Sequence, residues 1–259
     1  MAARKPTVEG FGIDIGGSGI KGALVDLQSG ELLSDRFRID TPKPSTPERV
    51  LDVVAQVVAQ AGHKGEVGIT FPAVIQHGIA RTAANIDQAW IGVDIAAVMR
   101  ERLGVPVTVL NDADAAGVAE VRYGAGFGVP GTVLMLTFGT GIGSALLVDG
   151  VLVPNTELGH IEVDGKDGEK RASGSARETK GLSFEEWAGR VSRYLQVLEQ
   201  GLWPDLIIVG GGVSKKADRW VPLLQNRTPI KVARLLNNAG IAGAALAAHE
   251  AAGGSATHP

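Results

Sequence analysis

Two glycine-rich stretches carry residue types suited to chemistry on phosphate. DIGGSGIKG, residues 14–22, sets four glycines and a serine between apolar flanks; FGTGIG, residues 138–143, repeats the arrangement with a threonine. Bare peptide N–H groups in such turns form a nest for an anion, and a hydroxyl at the tip adds a hydrogen bond. Gly16, Gly17, Ser18 and Gly19 would hold phosphates on the first loop. Thr137, Gly139, Thr140 and Gly141 would do so on the second. The alternative is a pair of plain tight hairpins. Asp14, ahead of the first loop, offers a carboxylate for Mg²⁺ or its water, or else caps the turn. Lys21 is placed to reach a phosphate or to lie in solvent. Asn111 and Asp112 fall between a strand pattern and a helix pattern. There α/β proteins place working residues, and there a plain N-cap also belongs. Asp114 sits deeper in that helix, where it suits the first turn.

The elements around the loops decide which phosphate site this is. GSGIKG fits GxGxxG by letter, but ALVDLQSGELLSDRFRI after it reads as strand, turn and strand. A dinucleotide fingerprint needs a helix at that point, and no GxxxxGK[ST] is present, so Rossmann and P-loop readings fail. Strands are expected at 11–15, 22–27 and 31–40, then 67–71, 107–110, 132–137, 144–148, 151–153 and 206–209. Helices are expected at 48–61, with apolar residues at 50, 53, 54, 57 and 58, and at 95–103, 113–123, 184–199 and 239–250. Shifting the first loop by 122 residues lays Gly17, Gly19, Ile20, Ala23 and Leu24 on Gly139, Gly141, Ile142, Ala145 and Leu146. Such a repeat predicts two related halves.

Composition narrows the class. The chain has 259 residues, 44 % hydrophobic and 20 % charged, enough for a large folded core. No apolar run is long enough to span a bilayer, and MAARKPTVEG lacks the apolar stretch of a signal peptide. There are no cysteines, which excludes disulfides and thiolate zinc and suits a cytoplasmic setting. A net charge of -3 argues against broad nucleic-acid binding.

DIGGSGIKGALVD, LTFGTGIGSALLVDG and IIVGGGVS together resemble the phosphate and adenosine loops of actin-like sugar kinases. ELGH at 157–160 and LNDADAAGVAE at 110–120 narrow the resemblance to the ROK family of sugar kinases and repressors. TFPAVIQHGIARTAANID and the tail of the chain resemble that family's actinobacterial, polyphosphate-using glucokinase branch. The resemblance runs roughly from residue 8 to 250.

It implies a ribonuclease H-like actin/hexokinase fold with two α/β domains around a cleft. The small domain would be 1–112 joined by the helix at 239–259, and the larger one 113–238. It implies phosphoryl transfer from polyphosphate or ATP, with Mg²⁺, to the 6-hydroxyl of glucose, and mannose as a further acceptor. Asp112 would be the base. Asn85, Asn111, Glu157, His160 and Glu169 would bind the sugar, with Glu162 and Glu178 as alternatives to Glu169. Gly210, Gly211 and Gly212 would bind nucleotide. The family's zinc knuckle follows its ExGH motif; 157–178 lacks that ligand spacing, so no structural zinc is expected. The basic stretch Lys166, Lys170, Arg171, Arg177 and Lys180, and Lys215 with Lys216, are candidates for a polyphosphate path. A homodimer is implied as well. Only about ten residues precede the first loop, so a DNA-binding repressor is not expected. A strictly ATP-dependent hexokinase for another sugar, or a sensor without catalysis, are the alternatives.

Overall fold

The computed structural model describes residues 7–84 and 86–254. The order begins β1 (Glu9–Ile15), β2 (Ile20–Asp26), β3 (Phe37–Ile39), α1 (Pro47–Ala61), β4 (Val67–Phe71), β5 (Ile75–Gln76) and β6 (Ile79–Ala80). It continues with α2 (Ile95–Leu103), β7 (Val107–Asn111), α3 (Asp112–Tyr123), β8 (Thr132–Phe138), β9 (Ile142–Val148) and β10 (Val151–Val153). Then come β11 (Glu162–Val163), β12 (Lys166–Asp167), α4 (Gly168–Ala172), α5 (Gly174–Thr179) and α6 (Phe184–Leu202). β13 (Leu206–Gly210), β14 (Ile230–Val232) and α7 (Ala239–Ala251) complete it.

These elements form two compact units. One takes residues up to Ala119 together with those from Asn237 onward; the other is Glu120–Leu236. The division therefore runs through α3 rather than ahead of it, because the first turns of α3 pack against α7. Each unit carries a five-stranded sheet, in the orders β3-β2-β1-β4-β7 and β10-β9-β8-β13-β14. In both, a hairpin and a third strand pair antiparallel, and two parallel strands follow. The two halves suggested by the glycine repeat thus share one topology. The turns differ by a residue: four residues separate paired Ile15 and Ile20, three separate paired Phe138 and Ile142. The extended run expected over 31–40 reduces to β3, with Leu32 bridging only to Val25. Ser34 Oγ accepts the Leu24 N–H of β2 and donates to the Asp35 carbonyl, so a side chain stands there in place of a backbone ladder partner.

In the first unit Pro47 starts α1, and Gly62 ends it in the left-handed conformation at φ 64°. Val50, Val54 and Val57 lie on the buried face, each contributing roughly 1.5–3 kcal/mol. The C-terminal helix α7 returns to β1 and β4 and is almost wholly alanine and glycine on its buried side. Its backbone comes unusually near the sheet. A Cβ on Gly12 would overlap the Ile241 carbonyl, one on Gly68 the Ala244 carbonyl, and one on Gly243 the Ala115 carbonyl. His249 of α7 also meets Glu66 at 3.0 Å, and that hydrogen bond lowers the Glu66 pKa.

The core of the second unit is aromatic. Trp187 and Trp220 meet edge-on at 4.8 Å between ring centres, and Phe138 stands 5.6 Å from Trp220. The Trp187 indole N–H donates to the Ala172 and Ser173 carbonyls, tying α6 to the junction of α4 and α5. A capping box of Ser183 and Glu186 starts α6.

Gly12→Ala and Gly68→Ala each force a methyl against a carbonyl that the helix cannot withdraw without losing its seat. Each is expected to destabilise the protein by about 1–3 kcal/mol or more, read as a lower urea midpoint.

Candidate active site

The first unit holds one glycine hairpin and the two candidate carboxylates. The Gly16 N–H donates to the Gly19 carbonyl at 3.1 Å and closes the turn, leaving Gly17 and Ser18 exposed at its tip. Thr41 Oγ1 donates to the Gly16 carbonyl, and the Arg38 guanidinium donates to the Ser18 carbonyl at 3.2 Å. Both contacts use carbonyls, so the amide side of the turn is not what they occupy. Asp14 and Lys21 are cross-strand partners in the β1–β2 ladder. That register sets Lys21 Nζ 3.5 Å from Asp14 Oδ2, while Thr70 Oγ1 donates to Asp14 Oδ1 at 2.9 Å. Asp14 is 25 % exposed. A partly exposed carboxylate fits Mg²⁺, which takes one or two carboxylates and otherwise keeps water and phosphate oxygens. Among the described residues no three His, Cys, Asp or Glu side chains are grouped to hold a metal ion.

Asn111 ends β7 and Asp112 begins α3. The Asn111 side chain caps the helix: its Oδ1 accepts the Ala113 N–H at 2.8 Å, and its Nδ2 donates to the Ala73 carbonyl at 3.1 Å. The N-cap alternative thus describes the contacts Asn111 makes. Asp112 is exposed at the carboxyl end of β7, with Oδ1 2.9 Å from the Ala113 N–H. Asp114 is 2 % exposed. Of the two aspartates, only Asp112 is open to a reactant. Asn85 lies outside the described residues.

The second unit brings Glu157, His160 and Glu169 together beside the other hairpin. The Gly139 N–H donates to the Gly141 carbonyl at 3.0 Å, leaving Thr140 exposed at the tip. The loop is gripped from below by α4 and the start of α5. Glu169 Oε2 accepts the Ile142 N–H at 2.9 Å, and the Ser175 N–H donates to the Gly139 carbonyl at 3.0 Å. A Cβ on Gly141 would overlap the Glu169 carboxylate. The ELGH turn sits on the same strand start, since a Cβ on Gly159 would strike the Ile142 carbonyl. Tyr194 of α6, its pKa raised by burial, keeps its proton and donates to the Leu158 carbonyl at 3.1 Å.

The charges of the three candidates act on one another. Desolvation raises the Glu157 pKa, His160 opposes that rise, and Glu169 adds to it. His160 Nδ1 lies 3.0 Å from Asp167 Oδ2, and this hydrogen bond raises the His160 pKa more than any other influence. Glu162 and Glu178 are exposed on β11 and at the end of α5. Neither shares the Ile142 contact that places Glu169.

Gly210 ends β13 and pairs with Thr137 on β8, so the GGG turn lies next to the second hairpin. Gly211 has φ 80°, Gly212 opens the following 3₁₀ helix, and Ser214 Oγ donates to the Gly211 carbonyl at 2.7 Å.

Sequence reasoning missed Thr70, Thr41 and Asp167. Thr70 and Thr41 reach their partners from 56 and 25 residues away, with no local signal. Asp167 carried one: it stands three residues before Lys170, whose N–H its Oδ1 accepts at 3.1 Å as the N-cap of α4. Its pairing with His160 followed only from folding.

Each unit carries a glycine hairpin on a duplicated sheet; the first adds an exposed aspartate after β7 and the second a Glu–His–Glu group packed at the start of β9, and these residue types and this duplicated topology are those expected of a sugar kinase. The ROK family profile matches residues 10–180, and the chain belongs to the ROK family. It is 55 % identical over 239 residues to a polyphosphate glucokinase of Mycobacterium tuberculosis, covering 92 % of this chain and 90 % of that protein. Its structure matches the inorganic polyphosphate/ATP-glucomannokinase of Arthrobacter sp. strain KM with a TM-score of 0.87 and 53 % identity, covering 95 % of this chain and all of the other. It matches a Streptomyces griseus ROK family glucokinase, solved with glucose and AMPPNP, with a TM-score of 0.79 and 28 % identity, covering 94 % of this chain and 100 % of that one.

The His160 imidazole is held protonated to higher pH than an ordinary histidine. Asp167→Asn is expected to return its pKa toward the ordinary value near 6.5. A ¹H–¹³C NMR titration of the His160 ring reads the change directly; an unaltered midpoint would show that Asp167 does not set it.

Proposed function

We propose that this chain is a glucokinase that transfers a phosphoryl group from inorganic polyphosphate, and from ATP, to the 6-hydroxyl of glucose. The observation that carries the reading is the gathering of Glu157, His160 and Glu169, from the ELGH turn and α4, against the start of the strand that leaves the second glycine hairpin. Carboxylates and an imidazole suit the hydrogen bonding of several sugar hydroxyls. Their attachment at the hairpin sets a polyol site beside a phosphate site. The names of the Mycobacterium and Arthrobacter relatives support polyphosphate, glucose and ATP as the substrates.

Asp112 takes the proton of the 6-hydroxyl as that oxygen bonds to the terminal phosphorus. The bond from phosphorus to the bridging oxygen breaks, and the donor leaves one phosphate shorter, or as ADP. In the Gly16–Gly19 and Gly139–Gly141 turns the Gly16 and Gly139 N–H groups close the turn, the remaining amides meet phosphate oxygens, and Ser18 and Thr140 add hydroxyls. Asp14 would hold Mg²⁺, which offsets phosphate charge when bound. Asn111 caps α3 and so fixes the helix start on which Asp112 stands. Gly210–Gly212 take the adenosine end of ATP. The Arthrobacter protein's name supports mannose as a second acceptor. A homodimer, which would cover the exposed Val148, Val151 and Val153 of the β9–β10 hairpin, and a cytoplasmic location complete the reading.

Glucose 6-phosphate formation with Mg²⁺ and either polyphosphate or ATP tests it. Turnover with both is expected, ATP alone would make the chain an ordinary ROK glucokinase, and no turnover with either would overturn the reading. Asp112→Ala is expected to lower kcat by about 10²–10⁴ while glucose binding by calorimetry is retained. A loss within about tenfold would remove Asp112 from the role of base.

A further inference from the structure

Four cations crowd the surface where β12, α4, α5 and α6 meet. Lys166 lies on β12, Lys170 on α4, Lys180 just past α5 and Arg190 on α6. Lys180 Nζ donates to the Lys170 carbonyl at 2.6 Å, which folds the end of α5 back onto α4. Desolvation first, then Arg190, Lys166 and Arg171, lower the Lys180 pKa, so these groups press on one ammonium. Compensation is thin. Arg171 pairs with Asp164 at 3.0 Å, but Arg193 claims the same carboxylate at 2.7 Å. Arg190 acts electrostatically on Glu186, whose carboxylate is already taken by the Ser183 N–H. Among the described residues, Lys166, Lys170, Lys180 and Arg190 form no ion pair within 4.0 Å. In a chain of net charge -3, an uncompensated cluster of this kind costs energy through self-repulsion unless an anion joins it.

The position of the cluster says which anion. Glu169 of α4 and Ser175 of α5 both touch the second glycine hairpin. Lys170 follows the first immediately, and Lys180 lies five residues beyond the second, about 8 Å along a helix. Lys170 thus stands next to a residue that holds the phosphate loop, and Lys180 Nζ is anchored on the Lys170 carbonyl, so the cluster adjoins the loop through α4. A linear polyphosphate, charged at every repeat, is the anion suited to a row of cations that adjoins a phosphate loop.

We propose that Lys166, Lys170, Lys180 and Arg190 form a track that binds the distal phosphates of a long polyphosphate whose reacting end lies at Gly139–Gly141. The track rests on the polyphosphate reading of the preceding section, and the two can fail separately.

The test uses Lys180→Gln/Arg190→Gln and, separately, Lys166→Glu, the second keeping the Lys180 hydrogen bond intact should the first not fold. Long-chain polyphosphate, tripolyphosphate and ATP are compared as donors, and binding of long-chain polyphosphate is measured by calorimetry at two salt concentrations. KM for the long chain is expected to rise about tenfold, equivalent to about 1.4 kcal/mol, with a shallower salt dependence of its binding. KM for tripolyphosphate and ATP is expected to stay within about twofold. Unchanged long-chain KM and binding in a wild type that turns over polyphosphate would overturn the track and leave the function standing. Long-chain binding that is lost in the variants, in a wild type without polyphosphate turnover, would keep the track and overturn the donor. An equal rise in KM for all three donors would show a general disturbance of the site and overturn the track. Weakened binding of single-stranded DNA with unchanged polyphosphate binding would reassign the cluster to nucleic acid.

Discussion

The two peptide groups of Ile142 hold the second unit's site together. Its N–H is taken by Glu169, and its carbonyl is the floor under Gly159 of the ELGH turn. One residue at the start of β9 therefore joins three things: the glycine hairpin before it, the Glu–His turn and the short helix α4. The join works because Gly141 and Gly159 lack side chains at the points of approach. A larger residue at either position would push a carboxylate or a turn off the strand. The proposed sugar contacts and the proposed phosphate loop thereby share one strand as their common reference, which is what orientation in a transfer reaction demands.

A different solution places Asp14 and Asp112 in the first unit. There the sheet is pressed against a helix of alanine and glycine, backbone to backbone, through Gly12 and Gly68. The parallel strands β1, β4 and β7 then end at one edge, with Asp14 near the end of β1 and Asp112 just past β7. Burial distinguishes the neighbouring aspartates: Asp114 is buried, while Asp112 two residues before it is exposed. Charge does similar sorting in the second unit. His160 is polarised by Asp167, and Asp167 also caps α4, so the same carboxylate starts the helix that carries Glu169.

Much of this was legible in the chain. Helices α1, α2 and α7 and strand β4 declared themselves through apolar spacing, because their burial is one-sided or complete and local periodicity reports it. The glycine repeat announced the duplicated sheets. The extended run over 31–40 misled because the Ser34 side chain takes the Leu24 N–H in place of a backbone partner, and α4 and α5 were invisible because five and six residues carry no periodicity. Glu169 stood out among three glutamates only by resemblance; in the fold, a single hydrogen bond separates it from the other two.

The sequence by itself determined where the glycine turns fall, which strands are buried, the duplication, and the presence of an aspartate at a strand end. These follow from residue type and short-range spacing, which the chain carries wherever it folds. The tertiary structure alone decided that α7 packs backbone to backbone on the sheet, that His249 meets Glu66, that Thr70 holds Asp14, that Asp167 faces His160 and that the cations of four separate elements meet. Those contacts join residues from 7 to 183 positions apart, and their energies exist only once the sheets have formed and brought the partners within reach.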